Sequence, residues 1–92
     1  MRIVFLPTTA ADLSWFRTYY ARVFPEGAAR AKHQLRNLCH LLEANPYAGH
    51  PGQLDGIREL HIPRTPFTLI YRVTARHIEV LRLWDERQGK FD

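Results

Sequence analysis

Residues 67–84, which read FTLIYRVTARHIEVLRLW, decide the fold. Aromatic and β-branched side chains fill residues 67–74, and residues 78–84 are apolar at most positions. Stretches of this composition favour β-strands. The short Ala75-Arg76-His77 segment between them predicts a turn, so the two strands should form an antiparallel hairpin.

Two further strands are predicted from the flanking sequence. Residues 58–62 alternate in polarity and are followed by the turn 63–66, which holds two prolines. Residues 2–6 form a short apolar run that Pro7 ends. Residues 45–56 contain two Pro and three Gly and predict a loop.

Two helical patterns lie between the first strand and this loop. Apolar residues recur every three or four positions, as on one helical face, at Leu13, Phe16, Tyr20, Val23 and then at Ala31, Leu35, Leu38, Leu42. Thr9 followed by Asp12 resembles a capping box at the first helix. The second helix should end at Asn45, since Pro46 disfavours helical backbone at its predecessor. The Pro25-Glu26-Gly27 link predicts an antiparallel helical hairpin.

The predicted fold is therefore α+β with the order β-α-α-β-β-β, a helical hairpin packed on one face of a small antiparallel sheet. Two short helices cover only one face, and that face should carry Phe67, Leu69, Tyr71 and Val73. The other face would carry Ile70 with either Leu81 and Leu83 or Trp84, because a one-residue change of register exchanges these sets. Such a half-apolar face predicts a partner, unless the C-terminal tail or the loop 45–56 covers it.

Composition narrows the classes of protein that fit. The chain has 92 residues and a net charge of +4, which fits one domain with an acidic partner, either a nucleic acid or an acidic protein. No apolar run is long enough for a membrane span, and the N-terminus is too quickly polar for a secretory signal. The single Cys39 excludes a disulfide framework and fits a reducing cytoplasm.

Motifs for cofactors, metals and nucleophilic catalysis are missing from the sequence. His33 and His40 share a helical face without a carboxylate ligand, so we interpret them as surface residues, and we expect neither metal nor cofactor. Cys39 and Ser14 lie within predicted helices and are not expected to act as nucleophiles.

Polar residues on the predicted sheet form the remaining candidate site: Arg58, Glu59, His61, Thr68, Arg72, Arg82, Asp85 and Arg87. RNA cleavage without a metal needs a base, cations for the phosphate and an acid, and His61 and Arg72 could serve as base and phosphate clamp. Glu59 and Asp85 put negative charge where a phosphate needs positive charge. Cross-strand ion pairs such as Glu59–Arg72 are the structural alternative.

Four segments also have the order and spacing of a known family. They are Asn45-Pro46-x-x-Gly49 after the second helix, Arg58-Glu59-Leu60 opening a strand, TPFTLIYRV at residues 65–73 and IEVLRLWDERQ at residues 78–88. Over essentially its whole length the chain resembles the RelE/ParE superfamily of toxins from bacterial type II toxin–antitoxin systems. The resemblance implies one domain over residues 1–92 and a neighbouring antitoxin that wraps the toxin.

The superfamily divides by target. RelE-like members are ribosome-dependent mRNA endonucleases that use basic residues on the exposed sheet face, whereas ParE-like members lack that set and poison DNA gyrase. This chain has Thr68 where the nucleases typically have Arg, Glu59 and His61 where two lysines are common, and Asp85 where many relatives have His. The resemblance therefore favours the ParE-like group.

Three hypotheses follow: a non-enzymatic gyrase inhibitor, an mRNA endonuclease that uses His61, Arg72 and Arg87, or a degenerate binding module. In each case we expect a cytoplasmic protein that contacts no membrane. For the first two we expect a hetero-oligomer with an acidic antitoxin. We predict antitoxin contacts at Ile70, Leu81, Leu83 and Trp84. For the target, gyrase or ribosome-bound mRNA, the candidate residues are Arg58, Arg72, Arg82 and Arg87.

Overall fold

The helices and strands follow the predicted order. The computed structural model describes residues 1–89 and 91. Its elements are β1 (Ile3–Phe5), α1 (Ala10–Thr18), α2 (Ala28–Ala44), β2 (His50–Pro51), β3 (Arg58–His61), β4 (Phe67–Val73) and β5 (Ile78–Asp85). A π-helical segment, Tyr19–Val23, continues α1, and 3₁₀ turns occupy Pro7–Thr9, Pro25–Gly27 and Glu86–Gln88. No helix in this described part of the chain is long and apolar enough to cross a membrane.

The sheet has the strand order β1-β5-β4-β3-β2 and is mixed. The neighbours from β2 to β5 pair antiparallel, as predicted for β3, β4 and β5, whereas β1 pairs parallel to β5. The two-residue β2 lies in the segment predicted as a loop, where the Pro and Gly content conceals it. Pro51 is tolerated there because β2 is an edge strand, which needs no backbone donor on its open side.

The core lies between the helices and one face of the sheet, as the apolar stripes predict. Its members are Phe16, Tyr20, Ala31, Leu38, Leu42, Ile62, Phe67, Leu69, Tyr71, Ile78, Val80 and Leu83. Val23, predicted on the first stripe, is instead 58% exposed. The reason is the π-helical segment, in which the Phe24 amide donates to the Tyr19 carbonyl 2.9 Å away, so each turn takes an extra residue.

The predicted capping box does not form. Thr9 has helical backbone angles within the 3₁₀ turn, and its hydroxyl donates to the Leu6 carbonyl at 2.6 Å. Its side chain therefore cannot cap α1. The Asp12 carboxylate is used elsewhere, on β5.

A β-bulge in β5 sets which side chains face the helices. Ile70 is paired with Arg82, but the next residue, Tyr71, is paired with Val80, so Leu81 has no partner on β4. The bulge changes the phase of the alternation. The helix-facing set of β5 is therefore Ile78, Val80, Leu83 and Asp85, which combines parts of the two sets that simple alternation predicts.

The segment after β1 supplies hydrogen-bond partners to the backbone groups of β5 around this bulge. The Leu6 amide donates to the Val80 carbonyl at 3.0 Å, and the Thr8 hydroxyl donates to the Leu81 carbonyl at 2.7 Å. The Leu83 amide donates to the Asp12 carboxylate at 2.9 Å. This stretch of the β5 edge is thus closed to a further strand.

Candidate functional site

The sheet face opposite the helices is less open than the sequence predicts. Ile70 and Thr68 on this face are almost fully buried. The Trp84 indole donates to the Gly89 carbonyl at 2.7 Å, and its ring centroid lies 5.4 Å from that of Phe91. The C-terminal segment therefore covers part of the face, as in the alternative that the sequence left open for this half-apolar face.

A cavity of about 310 Å³ remains beside this covered region. Its lining consists of His50, Pro51, Gly52, Gln53, Glu59, Glu86 and Phe91. The two carboxylates make it a poor place for a phosphate. Within the described residues, no group of three or more His, Cys, Asp and Glu side chains is arranged to hold a metal ion.

His61 belongs to a short hydrogen-bonded chain next to this cavity. The Thr68 hydroxyl donates to the Glu86 carboxylate at 2.6 Å, which uses its only proton. His61 Nδ1, 3.1 Å from the same hydroxyl, must then be the donor to it. The register explains the contact, since His61 and Thr68 are paired across β3 and β4.

Arg72 forms an ion pair, but its partner is not the Glu59 considered from the sequence. Arg72 lies opposite Glu79 on β5, and its Nε donates to that carboxylate at 2.6 Å. His77 Nε2 lies 2.9 Å from the other oxygen of Glu79. The hydrogen bonds from His77 and then Arg72 lower the pKa of Glu79.

Arg87 and Asp85 form a bidentate ion pair on the helix-facing side of the sheet. The Arg87 guanidinium donates to both carboxylate oxygens of Asp85, at 2.9 and 2.6 Å, and lies 4.4 Å from the Tyr19 ring centroid. The Trp15 indole donates to Asp85 at 2.9 Å. The hydrogen bonds from Arg87, and to a smaller extent the one from Trp15, lower the pKa of Asp85 to about 2. The same contact with Asp85 raises the pKa of Arg87.

The three nuclease candidates are consequently not gathered into one site. His61 faces Thr68, and Arg72 lies four residues further along β4, roughly 13 Å away at the usual rise of a strand. Arg87 is on the other side of the sheet, against α1. Arg72 and Arg87 are each neutralised by a carboxylate, and His61 reaches one through the Thr68 hydroxyl.

The other two arginines predicted to contact a target are also engaged within the chain. Arg82 donates to both oxygens of Asp12, at 2.7 and 2.9 Å, which raises the pKa of Arg82. Arg58 donates to the Gly49 carbonyl and lies 5.2 Å from the Tyr47 ring centroid. The four target candidates thus have structural contacts that the sequence did not predict.

The predicted antitoxin residues are divided between the two faces. Leu83 is in the helix-facing core, and Ile70 has no exposed surface although it lies on the opposite face. Leu81, at the bulge, and Trp84, which shares the Ile70 face, are half-buried and still have surface for a partner. The bulge and the C-terminal segment account for this division.

Exposed cations of the helical hairpin, with Arg64 of the neighbouring β3–β4 turn, are functional candidates that the sequence reasoning missed. The salt bridges found within residues 1–89 and 91 include none of Arg17, Arg22, Arg30, Lys32, Arg36 and Arg64, all of which are exposed. For the helical members of this set, the available signal was their position off the apolar stripes. We name this set the hairpin cations.

A comparison with protein-family models shows to which family the chain belongs. The family model described as "ParE toxin of type II toxin-antitoxin system, parDE" matches residues 3–89. The chain belongs to the ParE toxin family. The predicted resemblance, including its ParE side, is thereby confirmed.

Known structures agree with membership in the ParE toxin family. A solved structure of the chromosomal ParDE TA system from P. aeruginosa has a TM-score of 0.71 and 31% sequence identity, covering 90% of this chain and 92% of that chain. A comparison with curated proteins found no match. The predicted α+β fold, with the helices packed against the sheet, is also confirmed.

The Asn45-Pro46-x-x-Gly49 motif, one of the segments that carried the resemblance, has a structural role. In this ParE-family chain the Tyr71 hydroxyl accepts from the Gly49 amide and donates to the Pro46 carbonyl, both at 2.9 Å. Gly49 is buried, and a side chain there would collide with Tyr71 and with the Glu59 carbonyl. The Asn45-Pro46-x-x-Gly49 segment therefore anchors the loop to the sheet.

Proposed function

We propose that this ParE-family protein is the toxin of a type II toxin–antitoxin system, acts in the cytoplasm on DNA gyrase, and is neutralised by a cognate acidic antitoxin. The family match over residues 3–89 carries the proposal. The separation of His61, Arg72 and Arg87 supports a non-enzymatic mode of action, because a nuclease would need its base and its phosphate-binding cations around one phosphate.

A supercoiling assay with purified gyrase tests the proposed target. The toxin should inhibit supercoiling in proportion to its concentration, and addition of the cognate antitoxin in equimolar amount should restore supercoiling. The antitoxin alone serves as the control. Undisturbed supercoiling at excess folded toxin would contradict the proposal.

The endonuclease alternative has a separate experiment. Induction of the toxin in growing cells, followed by mapping of RNA ends, should give no new ends in translated message under the gyrase proposal. New ends that vanish in Arg72→Ala or Arg87→Ala would support the RelE-like alternative instead. Growth without arrest would favour a degenerate binding module.

We further propose that Leu81 and Trp84 contribute to antitoxin binding, in a toxin–antitoxin hetero-oligomer. Both have surface left after folding, unlike Ile70 and Leu83. They lie on either side of Arg82 on β5, whose guanidinium is 5.2 Å from the Trp84 ring centroid. An antitoxin segment that replaces the C-terminal cover could bury the Trp84 ring.

A further inference from the structure

The tip of the helical hairpin contains a cavity that neither the fold nor the proposed contacts at β5 explain. Its volume is about 360 Å³. Its lining comes from the π-helical segment and the turn that follows it, from α2 and from the turn between β3 and β4, and includes Tyr20, Phe24, Glu26, Gly27, Arg30 and Arg64. We call it the hairpin-tip pocket.

The pocket has an apolar wall. Phe24 is 44% exposed, and its ring centroid lies 6.4 Å from that of the buried Tyr20. The Phe24 ring lies directly over Gly27, where any side chain would collide with it. The π-helical segment Tyr19–Val23 ends at this wall. Such segments are frequent at functional sites because they redirect side chains.

Two arginines from separate elements meet at the same pocket. Arg30 comes from the second helix, and Arg64 comes from the β3–β4 turn. Arg64 has a φ of 62°, the left-handed region, and follows Pro63 in a turn closed by the Thr65 amide and the Ile62 carbonyl at 3.2 Å. Glycine is the residue that such a position favours. A strained arginine at the pocket therefore suggests a role for its side chain.

Charge around the pocket favours an acidic occupant. The hairpin cations include both pocket arginines, and they have no salt bridge within the described residues. The sheet arginines, by contrast, are largely neutralised by Asp12, Glu79 and Asp85. Positive potential is therefore concentrated on the helical hairpin, where Val23 and Phe24 are also exposed.

We propose that the hairpin-tip pocket binds an acidic segment of the antitoxin, with an apolar side chain packed on Phe24 and Tyr20 and a neighbouring carboxylate held by Arg30 and Arg64. This inference rests on the proposed toxin–antitoxin function. A polypeptide fits better than a nucleic acid because the apolar wall suits a side chain, and the two arginines outnumber the single carboxylate, Glu26, that also lines the pocket.

Calorimetric titration of the full-length toxin with its full-length antitoxin tests the inference. The double variant Arg30→Ala/Arg64→Gly should raise the Kd by about 100-fold, since each arginine loses a charge-assisted contact. Arg64→Gly removes the side chain while relieving the left-handed strain, so folding is retained, and thermal unfolding checks this. The matched control Arg2→Ala/Arg76→Ala removes two exposed charges that lie outside the pocket and outside the hairpin cations, and should change the Kd less than about threefold.

Three outcomes would overturn the inference. An unchanged Kd in the pocket variant would show that the pocket is not used, although the toxin–antitoxin proposal would stand. An equal loss in the control variant would show general charge attraction in place of a specific contact. Binding of a short DNA duplex that only the pocket variant loses, with antitoxin affinity intact, would assign the pocket to nucleic acid. If the unmodified toxin bound no antitoxin, the proposed function itself would fail.

Discussion

The hydroxyl of Tyr71 shows how much one atom contributes at the residue scale. It joins the buried Gly49 amide to the part-buried Pro46 carbonyl, and Tyr71 itself has no exposed surface. A buried donor and acceptor left without partners cost more than the hydrogen bonds contribute. The loop that precedes β2 therefore depends on this side chain.

Tyr71→Phe should lower the free energy of unfolding by about 1–3 kcal/mol, because it leaves the buried Gly49 amide without its acceptor and the part-buried Pro46 carbonyl without its donor. Urea denaturation measures the change. Tyr47→Phe is the matched control, since Tyr47 is 63% exposed and the variant keeps the ring beside Arg58. Equal stability of the two variants would contradict the role of the Tyr71 hydroxyl.

The depressed pKa of Asp85 predicts a pH dependence. The carboxyl has a usual pKa of 3.8 and, bonded by Arg87 and Trp15, a folded-state pKa of about 2. Its stabilising contribution is therefore complete above pH 4 and is lost as the pH falls towards 2, by about 2 kcal/mol in all. Asp85→Asn should flatten this part of the stability profile, measured by urea denaturation at pH 5 to 2.

Asp55→Asn provides the comparison for the pH experiment. Asp55 is exposed in the loop before β3, so its removal should leave the profile unchanged. A profile of Asp85→Asn that coincides with that of the unmodified protein would show that the Arg87 contact does not stabilise the fold.

Leu81→Asp should weaken antitoxin binding. Burial of an apolar side chain of this size is worth about 1.5–3 kcal/mol when complete, which corresponds to at least tenfold in Kd. Calorimetric titration against the antitoxin measures the loss. Leu54→Asp, at an exposed leucine of the loop, is the control. An affinity equal to that of the control would exclude β5 at Leu81 from the interface.

At the scale of elements, Asp12 connects α1 to β5. Its carboxylate accepts from the Arg82 guanidinium and from the Leu83 amide next to the bulge. The predicted capping role is thus replaced by a contact between two elements. The first turn of α1 supplies the acceptor that a neighbouring strand would otherwise provide.

Asp12→Ala should destabilise the fold by about 2 kcal/mol, because Leu83 and Arg82 lose a charged acceptor. Hydrogen exchange should show faster exchange of the Leu83 amide, with little change at the β4–β5 pairs beyond the bulge. Asp55→Ala, in the exposed loop, should leave that amide unaffected. Unchanged protection of Leu83 in Asp12→Ala would refute the connection.

At the scale of the whole molecule, charge is divided between the two layers. The sheet arginines are largely neutralised within the chain, while the hairpin cations remain available to a partner. The positive charge that an approaching partner meets is therefore carried mainly by the hairpin cations, out of a net charge of +4 for the chain. Long-range attraction of this kind affects the rate of association more than the lifetime of the complex.

The triple variant Arg17→Gln/Lys32→Gln/Arg36→Gln should lower the association rate with an acidic antitoxin about tenfold at low salt, with little effect on dissociation. The difference should vanish at about 0.5 M salt, where charges are screened. Stopped-flow kinetics measure both rates. Arg76→Gln, at an exposed arginine in the turn between β4 and β5, is the control. A triple variant that loses affinity only through faster dissociation would argue against steering.

The sequence by itself determined the order of the elements and most of the core. Periodicity of three to four residues in the helices and the composition of β3, β4 and β5 depend on near neighbours, which a sequence displays directly. The resemblance to the ParE-like group rested on four quoted segments and their order along the chain. Local patterns could not indicate the bulge at Leu81, the second role of Asp12 or the cover over Ile70.

Only the tertiary structure decided which side chains remain exposed to a binding partner. Arg82 and Asp12 are separated by 70 residues, as are Trp15 and Asp85, and no local pattern predicts such pairs. The bulge moved Leu83 into the core and left Trp84 on the opposite face. Contacts set by three-dimensional proximity therefore engaged the arginines that looked functional, three of them with carboxylates, and left the hairpin cations exposed.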